Sequence, residues 1–166
     1  MSSGDDHQWM ELAIGLARLA PQSPVAYSVG AVIVGADGAE LSRGFSREGG
    51  DPHVHAEEAA LGKLDPGDPR LAGATIYSTL EPCSQRKSRP RSCTALILAT
   101  RAAAAGRLPG PGGNAGIGRV VIAWREPGLF VADCQGVELL TQAGIEVAEL
   151  PELAELAKAP NRHLGV

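Results

Sequence analysis

At 166 residues the chain is long enough for one compact domain with a real core and too short for two ordinary ones. Lys and Arg number 15 against 19 Asp and Glu, a formal charge of −4 that speaks against a grip on long nucleic acid, whose binding rests on phosphate neutralisation. An apolar share of 44% excludes intrinsic disorder as the main state, and no apolar stretch approaches the roughly 20 residues of a membrane span.

The polar, acidic Met1–His7 lacks the basic and apolar pattern of a signal peptide. Trp9, Leu12, Leu16 and Leu19 recur at helical spacing and predict a helix over His7–Ala20, stopped by Pro21. Val29–Val34 is an apolar run of strand length, and Asp37-Gly38 after it predicts a hairpin with Glu40–Phe45 as the returning strand. A second helix follows from His55–Leu61, dense in good helix formers. Ala74–Thr79 reads as a buried strand, Cys93–Ala105 as a helix, and Arg119–Trp124 as a third apolar strand. Gln135–Ala143 is helical, Ile145–Ala148 a last strand, and Glu152–Ala159 a closing helix. A leading hairpin followed by alternating helices and strands predicts an α/β layered domain with one sheet covered on both faces. The Gly/Pro-rich stretch 109–116 is a loop within that domain, because neither flank is large enough to fold by itself.

Three cysteines make an odd and small number, which suits a metal or catalytic role in a reducing cytoplasm better than a disulfide framework. Three segments hold metal-competent residues: His55-Ala56-Glu57 at a helix start, Glu81-Pro82-Cys83 after a strand, and Cys93 at the next helix start. One imidazole and two thiolates suit zinc, with the fourth tetrahedral position left for water, the pattern of catalytic rather than structural sites. Such an ion lowers the pKa of that water towards about 7. Residues two apart on a regular helix point away from each other, so His55 must sit at the very start of its helix for Glu57 to reach the same cleft. Cys93 at a helix start is placed for stabilisation of its thiolate by the helix dipole. His-Ala-Glu alone is an ordinary helix-start tripeptide and Pro-Cys alone an ordinary buried pair. Their combination is the zinc-deaminase pattern, although nine residues rather than two separate Cys83 from Cys93.

These motifs resemble the zinc-dependent cytidine and deoxycytidylate deaminase superfamily, and within it the pyrimidine deaminase domain of riboflavin biosynthesis. The resemblance covers nearly the whole chain: Thr79-Leu80-Glu81-Pro82-Cys83-Ser84, the long loop to Cys93-Thr94-Ala95-Leu96-Ile97, Gly136–Val147, and the closing Asn161 and Leu164. It implies a cytidine-deaminase-like, three-layer α/β/α fold with a mixed five-stranded sheet, residues 1–166 forming a single deaminase domain. It implies zinc on His55, Cys83 and Cys93, Glu57 as proton shuttle, and a homodimer or higher homo-oligomer. The chain departs from that branch where Ala26-Tyr27-Ser28 replaces an Asn-Pro lead into the first strand, where Gln85 replaces a His, and across Arg86–Ser92.

Arg86, Lys87, Arg89 and Arg91 place four cations between the two proposed thiolate ligands, read either as a phosphate grip or as a solvated basic loop. Tyr27 and Phe45 are candidates to stack on a pyrimidine ring, and His53 to line the pocket or to serve as a polar loop residue. Glu81 either orients a ligand or ends a strand. Glu58 reads as an ordinary exposed helix residue, Trp124 as core, and Cys134 as a structural residue far along the chain from the motif. The reading is a cytoplasmic zinc-dependent hydrolase that removes the amino group of a small aminopyrimidine, with no membrane and no long nucleic acid as partner. The leading substrate is the diamino-ribosylamino-pyrimidinone 5′-phosphate of riboflavin biosynthesis; cytosine, cytidine, deoxycytidylate or another nucleobase is the alternative. A catalytically silent zinc-stabilised binding module is the rival from another class.

Overall fold

The computed structural model describes residues 3–103 and 116–166. The apolar run before Asp37-Gly38 forms β1 (Gly30–Val34), buried throughout, and its return forms β2 (Glu40–Phe45). The two pair antiparallel, with an irregular register between Ile33 and Val34. β1 pairs antiparallel on its other side with β3 (Thr75–Leu80), which is also fully buried. β3, β4 (Arg119–Trp124) and β5 (Glu146–Glu149) run parallel, so the sheet is mixed, five-stranded and ordered β2-β1-β3-β4-β5. The continuous apolar character of β1, β3 and β4 follows from their central place, where both sheet faces are covered.

The helices are α1 (Ser3–Ala17), α2 (Ala56–Leu61), α3 (Cys93–Ala103), α4 (Gly136–Gln142) and α5 (Ala154–Lys158). α1 packs on β1 and β3 with α5 beside it, whereas α2 packs on β1 and β2, α3 on α2, and α4 on α3 and β5. Two glycines show how closely the layers approach. A Cβ on Gly30 would stand 1.8 Å from the Ala13 carbonyl oxygen of α1. One on Gly44 would meet the Ala56 oxygen and the Ala60 nitrogen of α2 at 2.6 Å. Gly44 faces Ala31 across the ladder, one residue on from the Gly30–Phe45 pair, so the two glycines point to opposite faces and α1 and α2 lie on opposite sides of the sheet. The α/β/α expectation holds. No helix among the described residues is long and apolar enough to cross a membrane.

Several boundaries differ from the sequence reading. The first helix runs Ser3–Ala17 rather than His7–Ala20. Asp5 and Asp6 sit in its first turn, where negative charge suits the helix dipole. Asp6 is also buried, accepting from Arg119 Nη1 at 2.7 Å and Nη2 at 2.9 Å and from the Tyr77 hydroxyl at 2.7 Å. Leu19, counted above as part of the apolar stripe, is 63% exposed. The closing segment is a 3₁₀ turn (Pro151–Leu153), α5, and a second 3₁₀ stretch (Ala159–Leu164) rather than one helix. The remaining helices and strands agree to within a residue or two at their described ends. The stretch 109–116 lies, apart from Gly116, outside the described residues, as do residues 104–105 of the third predicted helix.

Candidate active site

His55 is the N-cap of α2, with extended backbone (φ −91°, ψ 160°), and its N–H is accepted by Glu58 Oε1 at 3.3 Å. That non-helical residue lets the imidazole and the Glu57 carboxylate turn into one cleft, as the two-residue spacing requires. β3 delivers the second segment: Glu81-Pro82-Cys83 follows it directly. Cys93 opens α3, where Ser92 Oγ caps the helix by accepting from Ala95 N at 3.1 Å.

The three side chains converge. Nδ1 of His55 lies 3.6 Å from Cys83 Sγ and 3.4 Å from Cys93 Sγ, and all three ligand atoms fall within 4.8 Å of one another. In a tetrahedral site with Zn–S of about 2.3 Å and Zn–N of about 2.05 Å, a nitrogen–sulfur edge measures about 3.6 Å. The edges found here match, and the donor set of one imidazole and two thiols fits zinc. Cys83 Sγ also accepts the Cys93 backbone N–H at 3.3 Å, one of the orphan donors of the α3 N-terminus. A hydrogen bond from the Cys93 thiol, with support from His55, holds Cys83 down to about 4, and the same bond together with burial pushes Cys93 up.

Glu57 is almost fully buried, and Ser78 Oγ donates to its Oε1 at 2.9 Å. Burial raises its pKa above the ordinary carboxylate range. Glu57, His55 and Cys83 line one cavity of about 340 Å³ together with Tyr27, His53 and Arg47. A carboxylate able to hold a proton beside three metal-competent side chains is equipped for proton transfer during hydrolysis.

The cations of the loop stand elsewhere. None of Arg86, Lys87, Arg89 and Arg91 is among the residues lining the cavity. Arg86 donates to the His53 carbonyl at 2.5 Å and lies 3.5 Å from Glu58, while Arg89 pairs with Asp51 and, at 3.3 Å, with Glu58. These contacts brace the inter-cysteine loop against α2 and the segment before it; Lys87 and Arg91 are exposed. Glu58 is therefore no idle surface residue: it closes the cap of α2 and receives both arginines. Phe45 packs against the core and does not line the cavity. Tyr27 does, stacked edge-on to Trp124 at 5.4 Å and Phe130 at 5.0 Å between ring centres. Trp124 is core, as read from the sequence. Cys134, distant in sequence, comes to Pro82, its Sγ 3.6 Å from that carbonyl oxygen.

Three residues near the site went unassigned in the sequence. Ser78 shows no motif. Arg47 is buried at the cavity wall, a placement that no spacing signals. Glu126, after β4, also lines the cavity; its Oε1 has no hydrogen-bond partner among the described residues, and burial raises its pKa to about 7. Glu81 resolves as a positioning residue: Oε1 accepts from Glu126 N at 3.1 Å and Oε2 from Val137 N at 3.0 Å, tying Pro82-Cys83 to the loop after β4 and to α4. Glu81→Ala is expected to cost about 1 kcal/mol by leaving two part-buried N–H groups without their acceptor and to weaken zinc retention, measured by urea unfolding and metal content. Unchanged stability and metal content would show that the tie is dispensable.

A mixed five-stranded sheet that brings a histidine and a cysteine from two helix starts, and a second cysteine from the end of a central strand, beside a buried glutamate defines the cytidine-deaminase-like class of α/β/α proteins. The chain belongs to the cytidine and deoxycytidylate deaminase family: the family's zinc-binding region matches residues 3–105. It is 38% identical over 151 residues to the diaminohydroxyphosphoribosylamino-pyrimidine deaminase of Schizosaccharomyces pombe, covering 90% of this chain and 33% of that one. The structure superimposes on Acinetobacter baumannii RibD with a TM-score of 0.72 at 33% identity, covering 98% of this chain and 40% of the other. It shares its fold with Aspergillus oryzae Rib2 deaminase, whose structure is a complex with DARIPP (TM-score 0.70, 22% identity, 97% and 96% coverage). The chain thus spans about a third of the length of the S. pombe relative, and the resemblance to the riboflavin-type deaminase domain is borne out.

Proposed function

We propose that this chain is a zinc-dependent hydrolytic deaminase of an aminopyrimidine nucleotide, the diamino-ribosylamino-pyrimidinone 5′-phosphate of riboflavin biosynthesis. The observation that carries this reading is the buried Glu57 carboxylate, held by Ser78 in the same cavity as His55 and Cys83. The identity to riboflavin-type deaminases supports the choice of substrate.

In this proposal His55, Cys83 and Cys93 hold the zinc. Bound there, zinc supplies Lewis acidity at neutral pH. Glu57 takes a proton from the attacking water as its oxygen adds to the amino-bearing ring carbon, then delivers that proton to the departing nitrogen, which leaves as ammonia. Ser78 fixes one carboxylate oxygen, so the other is free to move the proton. Tyr27, backed by Trp124 and Phe130, forms an aromatic wall against which the ring rests, and His53 borders the cavity. Arg86 and Arg89 hold the thiol-bearing loop to α2. Free thiols on all three cysteines fit a reducing cytoplasm, and exposed Leu19, Leu129 and Leu156 offer apolar surface for homo-oligomer contacts.

The test is ammonia release by the zinc-loaded chain from the riboflavin intermediate, cytosine, cytidine, deoxycytidylate and guanine. Turnover is expected with the riboflavin intermediate well above the others. Turnover of deoxycytidylate or cytidine alone reassigns the substrate, and none with any of them favours a silent zinc-stabilised module.

A further inference from the structure

Arg47 is 8% exposed, lines the cavity, and forms no ion pair with any carboxylate of the described residues. A buried, uncompensated guanidinium is costly, and buried charges are normally paired. Its backbone is left-handed at φ 61°, an uncommon conformation for a bulky residue that surrounding structure must enforce.

The side chain is held without its charge being met. Nε donates to the Pro21 carbonyl at 2.8 Å, Nη1 to the Tyr27 carbonyl at 3.1 Å, and Nη2 to Ser28 Oγ at 2.8 Å. All three acceptors are neutral. A guanidinium carries five N–H groups, so one remains on each terminal nitrogen. Ser28 is itself clamped by the buried Asn161, which accepts from Ser28 N at 2.6 Å and donates to its carbonyl at 3.0 Å. The C-terminal segment thereby fixes the partner that orients Arg47. Burial lowers the Arg47 pKa, yet arginine remains charged in proteins; Glu57 and Glu126 border the same cavity, but neither forms an ion pair with it among the described residues. Arg47 thus brings to the cavity wall a positive charge with two N–H groups that no hydrogen bond among the described residues uses. Ser23 and Ser88 line the same cavity, and the cations of the inter-cysteine loop are outside it.

We infer that Arg47 is the residue that recognises the phosphate monoester of the substrate, pairing with it through its two remaining N–H groups. The inference rests on the proposed nucleotide substrate and assigns selection of the phosphorylated form to a residue outside the zinc motif. Guanidinium and phosphate oxygens match in geometry as well as charge.

The test uses ribose 5-phosphate, which carries the phosphate and no base, titrated calorimetrically into the zinc-loaded chain, with ribose as control. Ribose 5-phosphate is expected to bind and ribose not to. Arg47→Gln should weaken binding at least about tenfold, with Arg47→Lys affected less, because it keeps the charge and loses the fork. Because Arg47→Gln also removes bonds to Pro21, Tyr27 and Ser28, a second readout uses the unaltered chain: the Arg47 Nε–H resonance should shift on adding ribose 5-phosphate. No binding by the unaltered chain, no shift of that resonance, or unchanged affinity in folded Arg47→Gln overturns the inference. Binding through Arg47 without deamination of any aminopyrimidine upholds the anion site and rejects the deaminase reading. Deamination without such binding does the reverse.

Discussion

Glu57→Gln is expected to bind zinc as the unaltered chain does while ammonia release falls about 100- to 10,000-fold, the range that general acid–base catalysis contributes. The amide keeps an oxygen to accept from Ser78 Oγ, now at 2.9 Å, and fills nearly the same volume. Only the capacity to take and return a proton is lost. Replacing a buried carboxylate by a neutral amide removes a desolvation cost, so thermal stability should hold or rise. Metal content, melting temperature and ammonia release measured together separate the outcomes. Turnover within a factor of a few of the unaltered chain would remove Glu57 from the proton path, and loss of zinc would make its role structural.

Removal of the metal should be the second large effect. Cys93 is completely buried and opens α3, while Cys83 accepts its backbone N–H, so the ion would tie the starts of α2 and α3 to the end of β3. A ligand present at about 1,000 times its dissociation constant stabilises by about 4 kcal/mol. For a chain of this size that corresponds to a fall in melting temperature of roughly 10 °C on chelation. Cys93→Ser should lack the metal, melt near the chelated chain, and respond no further to chelator. Added zinc should restore the melting temperature and activity of the chelated unaltered chain but not of the variant. A melting temperature and turnover indifferent to chelation would sink the metal assignment.

The His55, Cys83 and Cys93 cluster was legible because its chemistry is local and its residue types are rare. His-x-Glu works only where the histidine is still outside the helix, and a cap position can be read from the neighbouring helix formers. The strand before Pro82-Cys83 was equally plain from its β-branched run. Charge was a poorer guide. Arg86 and Arg89 look like free cations when counted along the chain, but Asp51 and Glu58 lie more than 25 residues away and meet them only in the fold. Asp6 likewise drew the first helix towards the N-terminus through Arg119, a partner 113 residues distant.

Periodicity, turn chemistry and the types of a few residues determined the layered sheet, the three metal-competent side chains and the carboxylate beside them. Each depends on neighbours within a turn or a strand. Only the tertiary structure decided which charges are spent and which stay available, because Coulomb pairing and burial depend on distances through space. It turned two loop arginines into braces, Glu58 into their anchor, and Arg47, unremarked in the sequence, into a cation of the cavity wall that no carboxylate of the described residues pairs.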